Sequence, residues 1–188
     1  MKINDKEIKG IFQPFLPSYG YNSWTLKGEK DEELMHYLLD REQRERFVSK
    51  DFSKKESENI RIDTELSCVK ETLNEIMLNV KSISDKLQIM SNPFGLEVWG
   101  QVNHKGMSTA MHKHENCFSF IYFVNAPQNC GNVNWYVNYD TKFESCQLDP
   151  SKKSLIFFPG WVPHFSMRNH SERPKIVLAG NLDFGENE

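Results

Sequence analysis

The sequence predicts a mainly β fold with N-terminal helices, and three observations support this class. Residues 1–92 are rich in Lys, Glu and Asp and contain two stretches with helical periodicity. From Asn92 to Phe184, apolar and polar residues alternate with a period of two. Several short strands at roughly even spacing, with no helix between them, favour a β-sandwich or small barrel. We expect residues 1–92 to pack on a core formed by residues 93–188, in one compact domain.

Length and charge limit the classes of function. The chain has 188 residues and a mass of 22.0 kDa, which suits one domain with a sizeable core. A formal net charge of -3 argues against non-specific binding to nucleic acid or anionic membrane as the main task, although a local basic groove stays open. The charged N-terminus resembles no signal peptide, and apolar runs such as Phe118–Val124 are too short to span a bilayer. We therefore expect a cytoplasmic protein with no membrane partner.

The first half contains two predicted helices. Asp31–Lys50 opens with acidic residues, which suit a helix N-terminus, and Thr64–Met90 has the stronger amphipathic pattern. Apolar residues of the second helix recur at three- and four-residue steps, at Leu66, Val69, Leu73, Met77, Val80, Ile83, Leu87 and Met90. We expect this stripe to pack on the domain, with a homodimer seam as the alternative. The polar stretch Asp51–Asp63 is predicted to be a loop.

The second half contains five predicted strands separated by turn residues. The strands are Leu96–Asn103, Phe118–Val124, Asn132–Tyr139, Ser154–Phe158 and Lys175–Leu182. The turns are marked by Asn92-Pro93, Ala126–Asn129, Asp149-Pro150 and Pro159-Gly160.

Histidines provide the main functional signal. On a strand, the side chains of His112 and His114 would point to the same face, since residues i and i+2 share a face. Two convergent imidazoles and one further nitrogen or oxygen ligand suit Fe, Zn, Cu or Ni. His164 follows a Pro-Gly turn at the end of an aromatic strand, where it could supply the third ligand. A surface strand that happens to carry two histidines is the simpler alternative.

Lys175 follows His164 after 11 residues and begins the last predicted strand. On that strand Lys175, Val177, Ala179 and Asn181 share a face. A cationic end, small residues and an amide together predict a pocket wall that could bind an anion. The alternative is an exposed lysine at a strand end, which is the usual place for this residue type.

These motifs resemble those of the iron- and 2-oxoglutarate-dependent oxygenases. That superfamily has His-x-Asp/Glu, then roughly fifty residues to a second His, then about ten to a basic residue. More narrowly, the chain from Trp99 to Asn181 is similar to a family of small bacterial and phage members with a His-x-His motif. The similarity lies in Trp99, His112-Lys113-His114-Glu115, Ser119–Val124, Ser154–His164 and Lys175–Asn181. The block that ends at His164 is its most specific part.

The resemblance implies roles for individual residues. His112 matches the first iron ligand, His164 matches the distal ligand, and His114 stands where the superfamily has its carboxylate. Glu115 is a second candidate for the third ligand, although it would need a β-bulge to face the metal. Lys175 matches the basic residue that pairs with the far carboxylate of 2-oxoglutarate, changed here from Arg. Tyr122 and Asn181 are expected, by the same resemblance, to help orient the cosubstrate.

The resemblance also implies a fold and an activity. The fold would be a double-stranded β-helix, or jelly roll, of the cupin-like type, with the site inside the mouth of the barrel. The activity would be that of a dioxygenase that uses Fe(II), 2-oxoglutarate and O2 to hydroxylate a C–H bond, with decarboxylation of 2-oxoglutarate to succinate. The prime substrate would be a small molecule or a protein side chain.

Two other functions are compatible with the same residues. A three-histidine cupin dioxygenase would use a metal and oxygen without 2-oxoglutarate, but it leaves Lys175 without a role. A jelly roll without its metal-binding carboxylate could instead be a non-catalytic binding protein. Against that second alternative, imidazole at position 114 can still bind a metal, and lysine at position 175 is still cationic.

Overall fold

The computed structural model describes residues 11–16, 19–49, 58–87, 95–115, 117–139 and 142–183. Within these ranges the helices are α1 (Asp31–Ser49) and α2 (Ser67–Leu87). The strands are β1 (Ile11–Leu16), β2 (Tyr19–Thr25), β3 (Ile60–Arg61), β4 (Gly95–Asn103), β5 (Thr109–His112), β6 (Cys117–Asn125), β7 (Val133–Tyr139), β8 (Lys142–Leu148), β9 (Ser154–Pro159), β10 (His164–Ser166) and β11 (Lys175–Asp183). Neither described helix is both long enough and apolar enough to cross a membrane.

The strands form two antiparallel sheets. The major sheet has the order β1-β2-β9-β6-β11-β4-β3, and the minor sheet has the order β5-β10-β7-β8. From β4 to β11 the chain passes repeatedly between the two sheets, so strands that are distant in sequence become neighbours. This architecture is the double-stranded β-helix that the sequence resemblance implied.

Two apolar cores lie on opposite faces of the major sheet. Phe123 of β6 belongs to the core between the sheets, with Trp135 of the minor sheet and Phe158 of β9. Alternate residues of β6, such as Phe120, pack instead with Leu38 of α1 and with residues of α2. The helices therefore cover the outer face of the major sheet, while its inner face is available for a site.

The five predicted strands are all present, and each of their ends lies within one residue of the predicted position. Strands β5, β8 and β10 were not predicted from the sequence. Strand β5 has 4 residues and β10 has 3, which is too short for a period of two to be recognised. Strand β8 carries the polar sequence KFESCQL, and it is ordered by its pairing with β7.

Both predicted helices are present. Helix α1 begins at Asp31 as expected, and α2 begins at Ser67, three residues after the predicted start. Val69, Leu73 and Val80 of the predicted stripe are buried. Leu66 precedes the helix and is 38% exposed, and the fully buried Ile76 belongs to the packed face instead. The side chains at positions 83 and 87, Met90, and most of the predicted loop Asp51–Asp63 lie outside what the structure describes.

The N-terminal part is not purely helical, which corrects the description of residues 1–92 as a helical segment. Strands β1 and β2 pair with each other, and β2 extends the major sheet through β9. The short β3 pairs with β4 at the other edge of the same sheet. Pro14 and Pro17 interrupt the apolar pattern of the first hairpin, so the alternation that marks a strand is weak there.

Candidate metal centre and adjoining pocket

Three histidines converge at the inner face of the minor sheet. His112 is the last residue of β5, His164 is the first residue of β10, and the two are paired across the antiparallel ladder. His114 follows two residues after β5, and one ligand atom from each imidazole lies within 4.8 Å of the other two. The ring centroids of His112 and His164 are 4.3 Å apart, and that of His114 lies 5.0 Å and 5.4 Å from them.

The two histidines of the His-x-His motif converge for a different reason than the one predicted. The expectation that both lie on one strand is wrong, because β5 ends at His112. The backbone of His114 is fixed instead by a hydrogen bond of 2.8 Å from its N–H to the carbonyl oxygen of Gly160. Gly160 lies in the turn between β9 and β10, so the same turn positions His114 and leads into His164.

Hydrogen bonds to the backbone set the tautomers of two of these histidines. The Nδ1 atom of His112 is 2.8 Å from the carbonyl oxygen of Ala110, and Nδ1 of His164 is 2.8 Å from that of Val162. Because a carbonyl oxygen can only accept, each Nδ1 carries the proton. In the neutral form of each ring the lone pair is then on Nε2, which is the form that metal ligation requires.

The site favours neutral imidazoles. Burial, with a smaller contribution from the neighbouring His112 and His114, lowers the pKa of His164 to about 3, although the hydrogen bond to Val162 opposes this shift. Burial also lowers the pKa of His114, followed by the effect of His112. Neutral imidazole is the form that binds a metal ion, so at neutral pH no proton has to leave these two rings.

Glu115, the alternative third ligand, lies apart from the three histidines. Its side chain is exposed, and its carboxylate is 3.8 Å from the ammonium group of Lys113. The cluster of candidate metal ligands found among the described residues consists of His112, His114 and His164. On this geometry His114, rather than Glu115, accompanies the other two histidines.

Lys175 is buried and lines the same pocket. Only 1% of the residue is exposed, which excludes the alternative of an exposed lysine at a strand end. Its ammonium group donates hydrogen bonds to the hydroxyl of Ser166 and, at 3.1 Å, to the carbonyl oxygen of Gly131. Burial lowers the pKa of Lys175 to about 8, and the neighbouring Cys130 opposes this shift. Among the described residues, these two bonds leave one of the three ammonium protons for a ligand.

Asn181 lies beside the histidine cluster and contacts His114. Its Nδ2 atom is 3.2 Å from Nδ1 of His114 and 3.3 Å from a carboxylate oxygen of Glu97. Its Oδ1 atom accepts a hydrogen bond of 2.8 Å from Ser119. The structure therefore brings Asn181 to the site, but in contact with a histidine.

Tyr122 does not reach the pocket. Its side chain lies on the other face of the sheet, so it does not have the position that its predicted role in orienting the cosubstrate requires. On β6 the side chain of Tyr122 points to the helix-covered face of the sheet, where it is fully buried. Its hydroxyl donates a hydrogen bond of 2.7 Å to Asp31, the first residue of α1. The neighbours Ile121 and Phe123 line the pocket instead, because alternate residues of a strand face opposite sides.

Two buried polar atoms of the pocket wall have no hydrogen-bond partner within the described part of the chain. They are the indole Nε1 of Trp99 and the amide oxygen Oδ1 of Asn103. A buried polar group without a partner costs about 1–3 kcal/mol.

Sequence reasoning missed Ser166, Ser119 and Glu97. Ser166 could have been found, because it lies two residues after His164 and faces the same side of β10. Ser119 and Glu97 gave no sequence signal, since their contact with Asn181 depends on the pairing of β11 with both β6 and β4.

Comparison with solved structures supports the fold. A prolyl-4-hydroxylase from Pseudomonas putida has 14% sequence identity and a TM-score of 0.63, covering 88% of this chain and 94% of that one. A prolyl hydroxylase from Trichoplax adhaerens, in complex with a peptide fragment of a hypoxia inducible factor, has 14% identity and a TM-score of 0.64, with coverages of 89% and 84%. The viral collagen prolyl hydroxylase of Paramecium Bursaria Chlorella virus-1, in its 2-oxoglutarate complex, has 14% identity and a TM-score of 0.57, with coverages of 86% and 94%.

These neighbours are prolyl hydroxylases, and α-ketoglutarate-dependent enzymes are among the further matches. At 10–14% identity the likeness establishes the double-stranded β-helix fold of such oxygenases. No protein-family model and no curated protein sequence matches the chain.

Proposed function

We propose that this protein is an Fe(II)- and 2-oxoglutarate-dependent oxygenase with a three-histidine metal centre. The observation that carries the proposal is one pocket that is lined both by His112, His114 and His164 and by the buried Lys175. The histidines suit a metal ion and the lysine suits a carboxylate. One ligand that chelates a metal at one end and carries a carboxylate at the other could therefore occupy the pocket. The similarity of the fold to that of 2-oxoglutarate-dependent oxygenases supports the same function.

The donor set fits a ferrous ion. His112 and His164 present unprotonated Nε2 atoms, and burial keeps His164 neutral. Imidazole is a suitable ligand for iron, and three protein ligands leave coordination positions for 2-oxoglutarate and O2. When bound, the iron would supply oxidation of a substrate C–H bond, coupled to conversion of 2-oxoglutarate to succinate.

The lysine is well placed for the far carboxylate of the cosubstrate. Ser166 lies two residues beyond His164 on β10, which corresponds to about 7 Å along the strand. Lys175 donates to Ser166, so its ammonium group lies on this face of the strand, beyond the histidines. A five-carbon diacid is long enough to reach from the histidines to this ammonium group.

The prime substrate is proposed to be a small molecule or a protein side chain. A prolyl side chain is the first candidate to test, because the three neighbours named above are prolyl hydroxylases. We further propose that the protein acts in the cytoplasm, as its sequence predicts.

A three-histidine dioxygenase that does not use 2-oxoglutarate is the second candidate. It is favoured by the absence of a carboxylate from the cluster of candidate ligands among the described residues. It does not explain why Lys175 is buried in the pocket at the expense of its hydration.

Calorimetric titration separates these candidates. The protein is loaded with Zn²⁺ as a redox-inactive substitute and titrated with 2-oxoglutarate. We expect binding that is lost in His112→Ala, because the metal is lost. In Lys175→Met, which keeps the metal, binding should be weakened, because the cation that pairs with the far carboxylate is gone. Glutarate, which has no keto acid to chelate a metal, is the matched control ligand and should bind far more weakly.

Metal binding without any affinity for 2-oxoglutarate would favour the second candidate. Failure of the wild-type protein to bind Zn²⁺ or Fe²⁺ would contradict both, and would leave the non-catalytic jelly roll as the remaining interpretation. Lys175→Met could also bind as tightly as the wild type, and that result would remove the assigned role of the lysine.

A further inference from the structure

The amide of Asn181 is held in one orientation by its neighbours. Its Nδ2 atom lies 3.3 Å from the carboxylate of Glu97, and its Oδ1 atom lies 2.8 Å from the hydroxyl of Ser119. A carboxylate can only accept, whereas a hydroxyl can donate or accept. Glu97 therefore decides the orientation, because turning the amide over would bring Oδ1 against the carboxylate.

This orientation determines which nitrogen of His114 carries the proton. The Nδ2 atom of Asn181 faces Nδ1 of His114 at 3.2 Å, and an amide NH2 group can only donate. In neutral His114 Nδ1 must then accept, so the proton is on Nε2. His112 and His164 have the opposite tautomer, with the proton on Nδ1 and the lone pair on Nε2.

The three histidines are thus unequal before a metal binds. His112 and His164 already present a lone pair from Nε2, but the lone pair of His114 is occupied by Asn181 and its Nε2 is protonated. If the amide of Asn181 turned over, its oxygen could accept from Nδ1–H of His114. Nε2 would then be free, and a side-chain oxygen behind it is the usual partner of a metal-bound histidine.

We propose that Asn181, oriented by Glu97, is a positioning residue that controls the third metal ligand. In the metal-free protein it keeps His114 as the Nε2–H tautomer, and metal binding requires its amide to turn over. The inference rests on the proposed function, since it concerns the same metal centre. It assigns Asn181 a role different from the contact with 2-oxoglutarate that the sequence resemblance implied.

Long-range ¹H–¹⁵N NMR of the full chain with ¹⁵N-labelled histidine tests this directly. Without metal, we expect Nδ1–H for His112 and His164, and Nε2–H for His114. On addition of Zn²⁺, which is diamagnetic, His114 should change to Nδ1–H, and all three Nε2 resonances should shift as ligands. An Nδ1–H tautomer for His114 before metal is added would overturn the proposal.

Asn181→Asp is the matched variant, because a carboxylate can only accept from His114. We expect the Nδ1–H tautomer without metal and Zn²⁺ affinity that is higher than wild type by about tenfold. Ser119→Ala is the control, since Glu97 alone should hold the amide and the Nε2–H tautomer should persist. Unchanged or weaker Zn²⁺ binding by Asn181→Asp would contradict the proposal.

The same spectra distinguish failure of this inference from failure of the proposed function. If His112 and His164 bind Zn²⁺ while His114 keeps its proton on Nε2, the inference is wrong but a metal site exists. If none of the three responds to Zn²⁺ or Fe²⁺, the proposed metal centre itself is wrong.

Discussion

At the scale of single residues, Lys175 is a buried cation whose charge depends on pH. Burial lowers its pKa to about 8, so it is mostly protonated at neutral pH and mostly neutral above pH 9. An anionic ligand favours the protonated form. Affinity for 2-oxoglutarate should therefore be constant below the pKa and should fall as pH rises through it, by about tenfold per pH unit.

Lys175→Arg provides the test of this dependence. A guanidinium stays charged throughout this range, so the affinity of the variant for 2-oxoglutarate should be independent of pH between 7 and about 9.5. Calorimetry of the Zn²⁺-loaded proteins across that range measures both profiles. A wild-type affinity that does not fall above pH 8 would show that Lys175 does not bind the ligand as a cation.

Tyr122 is the residue for which the sequence resemblance and the structure disagree. In Tyr122→Phe the hydroxyl that donates to Asp31 is lost, and a buried carboxyl group is left without that partner. We expect the free energy of unfolding to fall by about 1–3 kcal/mol, measured by urea denaturation. Affinity for 2-oxoglutarate should be unchanged, and weaker binding with full stability would restore Tyr122 to the pocket.

At the scale of elements, the turn between β9 and β10 contacts His114 and leads into His164, so it joins two parts of the candidate metal centre. Gly160 accepts a hydrogen bond from the N–H of His114, and its own N–H donates to the carbonyl oxygen of Cys117 at 2.9 Å. A Cβ atom at position 160 would lie 2.8 Å from the sulfur of Cys117 and 2.8 Å from the hydroxyl of Ser119. Only glycine lets the turn approach β6 this closely.

Gly160→Ala should therefore displace this turn, with effects on both stability and the site. We expect a loss of about 1–3 kcal/mol in the free energy of unfolding and weaker Zn²⁺ binding, since both His114 and His164 depend on the turn. Gly95→Ala is the control, because the nearest atoms to a Cβ there belong to the side chain of Asp183, the closest at 3.3 Å. Equal Zn²⁺ affinities for the two variants would contradict the role of the turn.

At the scale of the whole molecule, the helix-covered core and the candidate site lie on opposite faces of one sheet. The helices and the outer face of the major sheet form one apolar core, and the histidines lie beside the other. Changes in the helix-covered core should therefore alter stability without altering the site. The exceptions should be residues such as Asn181, whose strand reaches the metal centre directly.

Leu38→Ala tests this separation. Leu38 of α1 is fully buried, and it packs so closely on β4 that a Cβ at Gly100 would clash with it. We expect a loss of about 2–5 kcal/mol in the free energy of unfolding, with Zn²⁺ affinity unchanged below the unfolding transition. Leu78→Ala, at a position 59% exposed on α2, should cost less than about 0.5 kcal/mol. Loss of Zn²⁺ binding by folded Leu38→Ala would show that the two faces are coupled.

Much of this organisation could be predicted from the sequence. Helix α2 has regular periodicity, α1 begins with acidic residues, and the five predicted strands alternate or are bounded by turn residues, so local patterns were enough for these elements. The spacing from His112 to His164 and Lys175 predicted residues that the fold does bring to one pocket. The short β5 and β10 could not be predicted, because their order comes from pairing with each other and with β7.

The details of the site depend on contacts between distant parts of the chain. The approach of Gly160 to His114, and of Glu97 to Asn181, links residues that no local pattern relates. The direction of Tyr122 depends on the register of β6, where a shift of one residue exchanges the two faces. A resemblance between sequences identifies matching residues, but it does not determine the face of the sheet to which each side chain points.

The measurement that tests the central claim most directly is an anaerobic titration followed by visible absorption. Metal-free protein receives Fe(II) and then 2-oxoglutarate. We predict a metal-to-ligand charge-transfer band that appears only with both, is absent in His112→Ala and is weaker in Lys175→Ala. Iron binding without a band at any 2-oxoglutarate concentration would contradict the account.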